Sequence, residues 1–244
     1  MITSNNTYTS NCPTEGGVNM QLWGEDFQVD YLGTILEINN FIVKNLNIVN
    51  SSLINFNLPA GTGKNLEIRL ITTVDVTHEN MLSYHKPVIT SVSSTYCYDN
   101  PGTTETLDCP NDDEFWINIS GTNFGDREAT ILVGSDKCGE VTHYSHQLLS
   151  CLALGSRGIK QSVFVIQYGG EISEGEKLVS FKQCGQGFEF IDDSCHPCQP
   201  GYYKNTVADS YCISCPEGKI SSTNGAHECK YCNLGFYPTN SSFT

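Results

Sequence analysis

Phe115-Trp116-Ile117-Asn118-Ile119-Ser120-Gly121-Thr122-Asn123-Phe124-Gly125 is the stretch on which the fold turns. Phe115, Ile117 and Ile119 alternate with Trp116, Asn118 and Ser120, the period of two that a strand shows when one face is buried. Asn118 opens an Asn-x-Ser sequon and falls on the polar face, where a sugar would not displace the core. Similar strands are expected at 34–38, 66–72, 129–133 and 162–168, where Ile, Val and aromatic residues run between Gly, Asn and Ser turns. Short strands at this spacing predict an all-β sandwich architecture.

The same stretch has a counterpart 97 residues upstream. Cys12-Pro13 precedes Leu22-Trp23-Gly24-Glu25-Asp26-Phe27 just as Cys109-Pro110 precedes Ile119-Ser120-Gly121-Thr122-Asn123-Phe124. Thr34-Ile35-Leu36 matches Thr130-Ile131-Leu132 with the offset shortened by one residue, and Ile2-Thr3-Ser4 resembles Ile89-Thr90-Ser91 across a longer gap. Two tandem repeats are therefore expected in the first 182 residues, with strands kept and loops varied. Within the first repeat, alternation that buries Met20 and Leu22 turns the Trp23 indole to the opposite face. There it either contacts a partner, a glycan or the neighbouring domain, or covers its own sandwich.

Composition narrows the setting. The chain has 244 residues and a formal charge of −14, from 27 acidic against 13 basic side chains. That balance repels phosphate backbones and anionic lipid, so nucleic acid is excluded as an expected partner. No apolar run approaches the roughly 20 residues that span a bilayer, so no membrane segment is expected in this chain. No basic segment followed by an apolar core opens it, and a leader is expected to have been removed or to lie upstream of Met1. Twelve cysteines and four sequons, at Asn5, Asn50, Asn118 and Asn240, agree on an oxidising, extracellular or cell-surface location with N-linked glycans.

Pro87-Val88-Ile89, the Ile-x-Gly-x-Asn-Phe-Gly string at 119–125, Val133-Gly134 with Cys138, and Ser150-Cys151 together resemble an IPT/TIG domain. The resemblance covers residues 87–182 well. Residues 1–86 match less completely, through Gly16-Gly17 and Leu58-Pro59-Ala60-Gly61-Thr62-Gly63. It implies two tandem immunoglobulin-like β-sandwiches of the kind found in receptor ectodomains. In the second repeat it implies disulfides between Cys138 and Cys151 and between Cys97 and Cys109. Aligned on it, Phe41 and Phe56 stand where the first repeat lacks Cys138 and Cys151, so an aromatic pair is expected in place of a bridge. Cys12 aligns with Cys109 but has no counterpart of Cys97. Its partner is left open: upstream of Met1, elsewhere in the chain, on another subunit, or none.

From Cys184 onward the composition shifts, and seven of the 12 cysteines fall in the last 61 residues. Cys195-x2-Cys198, Cys212-x2-Cys215 and Cys229-x2-Cys232 repeat every 17 residues, and Gly201, Gly218 and Gly235 follow at a fixed distance. Paired Cys-x-x-Cys motifs with His196 and His227 nearby also suit zinc. Three pairs at one period, beside sequons, fit disulfides better, and so short a segment with few aliphatics needs covalent staples. Cys215-Pro216-Glu217-Gly218 and Gly225-Ala226-His227-Glu228-Cys229 resemble the ephrin-receptor-like cysteine-rich repeats. That likeness implies the pairs Cys184–Cys195, Cys198–Cys212 and Cys215–Cys229, leaving Cys232 to pair beyond Thr244 in a module cut short by the chain end. The expected domains are 1–86, 87–182 and a small module of little regular structure at 183–244.

Other strings look like chemistry but fall short of it. Ala60-Gly61-Thr62-Gly63-Lys64 has the Gly-Lys of a phosphate loop, yet Leu58 and Asn65 occupy the positions that need Gly and Ser/Thr. Asp112-Asp113-Glu114 lacks the spaced oxygen ligands of a calcium loop. His78, His85, His143, His146, His196 and His227 show no metal spacing, although His143 and His146 lie close in one loop. No nucleophile elbow or activated-cysteine context accompanies the Ser, Asp and His residues, so no catalytic residue, metal or cofactor is expected. The expected function is adhesion or recognition through contacts with other extracellular proteins or copies of itself. A glycosylated subunit of an extracellular filament or coat is the alternative, with Cys12 and Cys232 available to join chains.

Overall fold

A computed structural model describes residues 8–27, 33–72, 75–99, 103, 105–192 and 194–232. The described residues form short strands and turns with no helix. The chain resolves into two compact units. The first comprises Met1–Ser93, Ile117–Leu152 and Ser162–Lys177, and the second Ser94–Trp116, Ala153–Gln161 and Leu178–Thr244.

Within the first unit, the amino-terminal repeat is a sandwich of two sheets. One sheet runs in the order Thr9–Cys12, Asp75–Tyr84, Leu66–Ile71, Ile35–Ile38, Phe41–Ile42. The other runs Asn19–Trp23, Leu53–Asn57, Asn47–Asn50. Alternation supplies the inner faces: Leu36 and Ile38, Ile54 and Phe56, and Leu66, Ile68 and Leu70 are all buried, while their neighbours along each strand are not. Each such side chain, taken fully out of water, contributes about 1.5–3 kcal/mol. Asn39 and Asn40 both have positive φ, 48° and 65°, and turn the chain from Ile38 into Phe41. Asparagine tolerates that region, and two such residues match the twist of a two-residue hairpin.

The carboxy-terminal repeat contributes a four-stranded sheet in the order Val141–Ser145, Leu148–Ala153, Phe115–Thr122, Val88–Ser93, and a ladder of Thr130–Val133 with Asp136–Lys137 and Gln161–Ile166, of which Val88–Ser93, Ile117–Leu152 and Ser162–Lys177 fall in the first unit. Phe115, Ile117 and Ile119 are almost wholly buried and Trp116 and Asn118 are exposed, as the alternation dictates. The second unit contains the ladder of Tyr98–Asp99, Glu105–Cys109 and Leu178–Phe181. Beyond it come the two-stranded hairpins of the cysteine-rich segment.

The 97-residue offset is carried into backbone geometry. Thr9 pairs with Leu82 and Cys12 with Tyr84 in parallel, and Thr106 pairs with Val179 and Cys109 with Phe181 in the same way. Both ladders are interrupted at the same place, where Asn11 (φ 59°) and its counterpart Asp108 (φ 53°) adopt the left-handed region. Asp26 and Asn123, again 97 apart, share φ 60° ahead of the buried Phe27 and Phe124.

At Thr34-Ile35-Leu36 the structure departs from the sequence alignment by one residue. Leu36 and Ile131 are both wholly buried, whereas Leu132 is half-buried, and the pairing of Leu36 with Leu70 matches that of Ile131 with Val165. A one-residue slip turns every side chain to the other face, so burial chooses the register that similar letters do not.

Candidate functional site

The outer face of the three-stranded sheet in the first sandwich is rich in amides. Cross-strand pairing sets Asn19 opposite Asn57, and Gln21 and Asn47 both opposite Asn55. Asn45, left-handed at φ 59°, leads into the edge strand. Together they line an open groove of about 510 Å³. The Asn55 side-chain oxygen is buried there and has no hydrogen-bond partner among the described residues. At the end of the neighbouring strand Trp23, paired with Leu53, is 58% exposed while Leu22 beside it is buried.

Inside the first unit the two sequence repeats meet through a set of polar clamps. The fully buried Thr14 receives a contact from His146: its hydroxyl and the ring Nδ1 are 3.0 Å apart, and its N–H donates to the Asn123 side chain at 3.4 Å. The Thr62 hydroxyl donates to the Tyr168 carbonyl at 2.5 Å, and Lys86 pairs with Glu174. Gln167, itself buried, donates from its amide nitrogen to the carbonyls of His85 (3.0 Å) and Asn123. The junction between repeats is thus hydrogen-bonded on several sides rather than free.

Phe41 takes part in this seam instead of pairing with Phe56. It lies on a two-residue edge strand, 48% exposed, with the Arg127 guanidinium 5.0 Å from its ring centre, whereas Phe56 is in the core. The expected aromatic pair does not form, because in the register that sets Leu36 against Ile131 the buried Val43, whose N–H donates to the Leu36 carbonyl at 2.8 Å as Cys138 N–H donates to that of Ile131 at 3.0 Å, takes the place of Cys138 and leaves Phe41 on the edge strand. The Phe115–Phe181 edge-to-face pair is in the second unit.

The Ala60-Gly61-Thr62-Gly63-Lys64 loop is consumed by packing. The Gly61 N–H donates to the Thr14 carbonyl at 2.9 Å, and the Gly63 carbonyl accepts from Tyr84 N–H at 2.9 Å. The buried Tyr84 ring lies so close to Gly61 that a Cβ there would sit 2.8 Å from three of its atoms. Its hydroxyl donates to the Pro59 carbonyl at 2.7 Å, and burial pushes the phenol up from its ordinary value. The glycine serves a tyrosine, not a phosphate.

The structure joins Cys97 to Cys109, Cys138 to Cys151, Cys184 to Cys195, Cys198 to Cys212 and Cys215 to Cys229. Cys12 and Cys232 carry free thiols. Cys12 is buried among the first sandwich's apolar residues, which pushes its thiol up, and Cys232 is half-buried. Asn50 and Asn118 are exposed, and the Asn50 side-chain oxygen accepts from Ser52 N–H at 2.8 Å. Asn5 and Asn240 lie outside the described residues.

Asp112, Asp113 and Glu114 are exposed on the rim of an open groove of about 590 Å³ that also includes Tyr96 and Lys182. Among the described residues, no three His, Cys, Asp or Glu side chains are grouped to hold a metal ion. His143 is held apart from such chemistry: its Nε2 accepts the Ala129 N–H at 3.0 Å, which puts the ring proton on Nδ1, and burial pushes its pKa down. His196 bonds Ser194 instead, at 2.8 Å.

Alternation says nothing about the cysteine-rich segment, and its exposed aromatics emerge only in three dimensions. Tyr202, Tyr211, Ile213 and Tyr231 are all exposed, Tyr231 by 79%. The one sequence signal was density: five of the chain's 12 tyrosines lie in its last 61 residues. In the same segment Lys204 is only 3% exposed, and its ammonium donates to the carbonyls of Cys184 and Ala208. Burial pushes its pKa down.

With this geometry in place, the chain can be set beside known proteins. No family model matches it. Part of it is similar to ephrin receptors. Ephrin type-A receptor 3 of Danio rerio is 44% identical over 54 residues, 22% of this chain and 5% of the receptor. Ephrin type-A receptor 8 of Mus musculus is 37% identical over 67 residues, 27% of this chain and 7% of the receptor. The chain thus covers less than a tenth of the length of these relatives. Among solved structures, the Plexin A4 extracellular region matches at TM-score 0.31 and 13% identity, over 70% of this chain and 17% of that one. A surface glycan-binding protein from Prevotella bryantii matches at TM-score 0.41 and 13% identity, over 80% and 48%. Scores of this size define no common fold, and the all-β, immunoglobulin-like architecture rests on the strand pattern above. The ephrin-receptor likeness of part of the chain and the five disulfides indicate an extracellular or cell-surface setting.

Proposed function

We propose that this chain is a non-enzymatic recognition ectodomain that works through protein–protein contacts, built from two IPT/TIG-like sandwiches at 1–86 and 87–182 and an ephrin-receptor-like module at 183–244. The observation that carries the reading is the tyrosine surface of the cysteine-rich segment. Tyr202, Tyr211 and Tyr231 stand exposed on a scaffold stapled by Cys184–Cys195, Cys198–Cys212 and Cys215–Cys229. Tyrosine offers large contact area for little lost rotamer freedom, and a rigid scaffold lowers the ordering cost of binding.

The test is binding of the fluorescently labelled secreted chain to cells of its native source, compared with a Tyr202→Ser, Tyr211→Ser, Tyr231→Ser variant of unchanged thermal stability. A loss of about tenfold or more in apparent affinity is expected. Equal binding by the variant would remove the tyrosine surface from the argument.

A second reading, a glycosylated subunit of a filament or coat, is favoured by one feature, the free and half-buried Cys232 thiol. It requires disulfide-linked multimers on non-reducing gels that disappear in Cys232→Ser. A strictly monomeric wild type would dispose of it.

A further inference from the structure

We propose that the amide-lined outer face of the first sandwich, bounded at one end by Trp23, binds a neutral oligosaccharide carried by another molecule. The argument starts from the donor set. Asn19, Gln21, Asn45, Asn47, Asn55 and Asn57 line the groove, and none of its lining residues carries a charge, in a chain of net charge −14. Each amide offers two N–H donors and a carbonyl acceptor, the mixed set that vicinal hydroxyls, themselves donors and acceptors, can answer.

One member of the set is unsatisfied. The Asn55 oxygen is buried without a protein partner at the middle of the face, flanked by Gln21 on one strand and Asn47 on the other. A buried acceptor left unpaired is costly and asks for a donor that the fold itself does not supply. Turned toward the groove, the half-buried Asn55 amide would present that oxygen to a ligand hydroxyl, which could at the same time accept from the neighbouring amides.

Trp23 supplies the complementary apolar contact. Residues 19, 21 and 23 point to one side of their strand, so the exposed indole continues the row of Asn19 and Gln21. The electron-rich face of an indole attracts the polarised C–H bonds on the flat side of a sugar ring. Rows two residues apart are about 6.8 Å from each other and strands about 4.8 Å, so the face measures about 14 by 10 Å, a footprint for a short oligosaccharide rather than one ring.

Other ligand classes fit less well. Nucleic acid and acidic polymers need cations, and the groove has none. The centre of a protein interface is depleted in such polar residues and filled with exposed apolar and aromatic anchors, whereas here Phe56 in the lining is buried and the exposed Trp23 stands at the end of the row. The chain's own sugar is the nearest competitor, because Asn50 pairs with Leu53, which also pairs with Trp23.

The experiment uses the full secreted chain carrying Trp116→Phe, so that emission comes from Trp23 alone, the chain having two tryptophans. It is titrated with neutral glucose, mannose and N-acetylglucosamine oligomers of three to six units, with a sulfated oligosaccharide as the charged comparison. A saturable change in Trp23 emission with at least one neutral oligomer is expected. By calorimetry with the same oligomer, affinity is expected to fall at least about tenfold in Trp23→Ala and in Asn55→Ala, both at exposed or half-exposed positions that should leave unfolding unchanged. Gln21→Ala gives a second, independent reading of the face. The proposal is overturned if no neutral oligomer binds below about 10 mM, if only the sulfated one binds, or if all three variants bind as wild type. It is equally overturned if binding requires Asn50→Gln or enzymatic removal of the Asn50 sugar, which would assign the face to the chain's own glycan.

Discussion

Replacing Gly61 with alanine tests whether the glycine-rich loop exists for packing. The added methyl would meet the Tyr84 ring at 2.8 Å, closer than unbonded carbons approach, and the ring has nowhere to retreat. It is buried, its hydroxyl is committed to Pro59, and its backbone N–H to Gly63. Overpacking of this kind costs about 1–3 kcal/mol. Tyr84→Ala alone removes a buried aromatic and should cost about 3–5 kcal/mol. In the double variant the methyl enters space the ring has vacated, so the combined loss should fall short of the sum by about 1–3 kcal/mol. Urea unfolding followed by Trp23 emission in a Trp116→Phe background reports on the sandwich that contains both residues. Gly61→Ala within about 0.5 kcal/mol of wild type, or a strictly additive cycle, would refute the packing account.

The two free thiols should differ sharply: Cys232 is expected to alkylate in the native protein and Cys12 only in denaturant, as mass spectrometry after iodoacetamide treatment would show. His143 sets an acid limit. Its folded pKa lies below the ordinary value of 6.5, so the unfolded chain binds the proton more readily, and stability is lost as pH falls through about 6.5 toward the folded value. His143→Gln, which keeps an acceptor for Ala129 N–H, should flatten the melting temperature between pH 7 and pH 5. Lys204→Ala takes the ammonium donor from the Ala208 carbonyl and one of two donors from the Cys184 carbonyl, and should cost about 1–3 kcal/mol, read as lowered protease resistance of residues around 184–208. Mild reduction should raise hydrogen exchange throughout residues 184–232 while strands Asn19–Trp23 and Leu53–Asn57 stay protected, since only the former rely on disulfides for their closure.

Much of the all-β fold was legible because its central strands carry their burial in their letters. Phe115, Ile117 and Ile119 cannot face water together, and Asn118 and Ser120 cannot face the core, so one arrangement satisfies both. The same logic set Trp23 against Leu22. Legibility ended where the deciding partner was remote in sequence. Thr34-Ile35-Leu36 and Thr130-Ile131-Leu132 look alike, yet only Leu70 and Val165, across the ladder, decide which residue points inward. Alignment of Phe41 with Cys138 predicts a pair with Phe56, while its place at a sheet edge gives it Arg127 for company. The amide groove depends on Asn47 meeting Asn55 and Asn19 meeting Asn57, pairings set by hairpin register and not by any local pattern. The tyrosines of the cysteine-rich segment have no period at all, because disulfides rather than a buried face dictate where each points.

The parallel pairing at the start of each repeat bears on how the molecule takes a pull. Thr9–Cys12 lies beside Asp75–Tyr84, and Glu105–Cys109 beside Leu178–Phe181, each running in the same direction as the strand that leaves its repeat, although in the second repeat Val88–Ser93 precedes it and pairs antiparallel with Phe115–Thr122. Tension between the two ends of such a repeat runs along both strands in opposite senses, so the hydrogen bonds joining them are sheared together instead of opening one after another like a zip. Rupture then requires several bonds to fail at once, with Cys12 O to His85 N–H and Cys109 O to Lys182 N–H as the outermost of each set. A load carried across either ladder would meet it in shear.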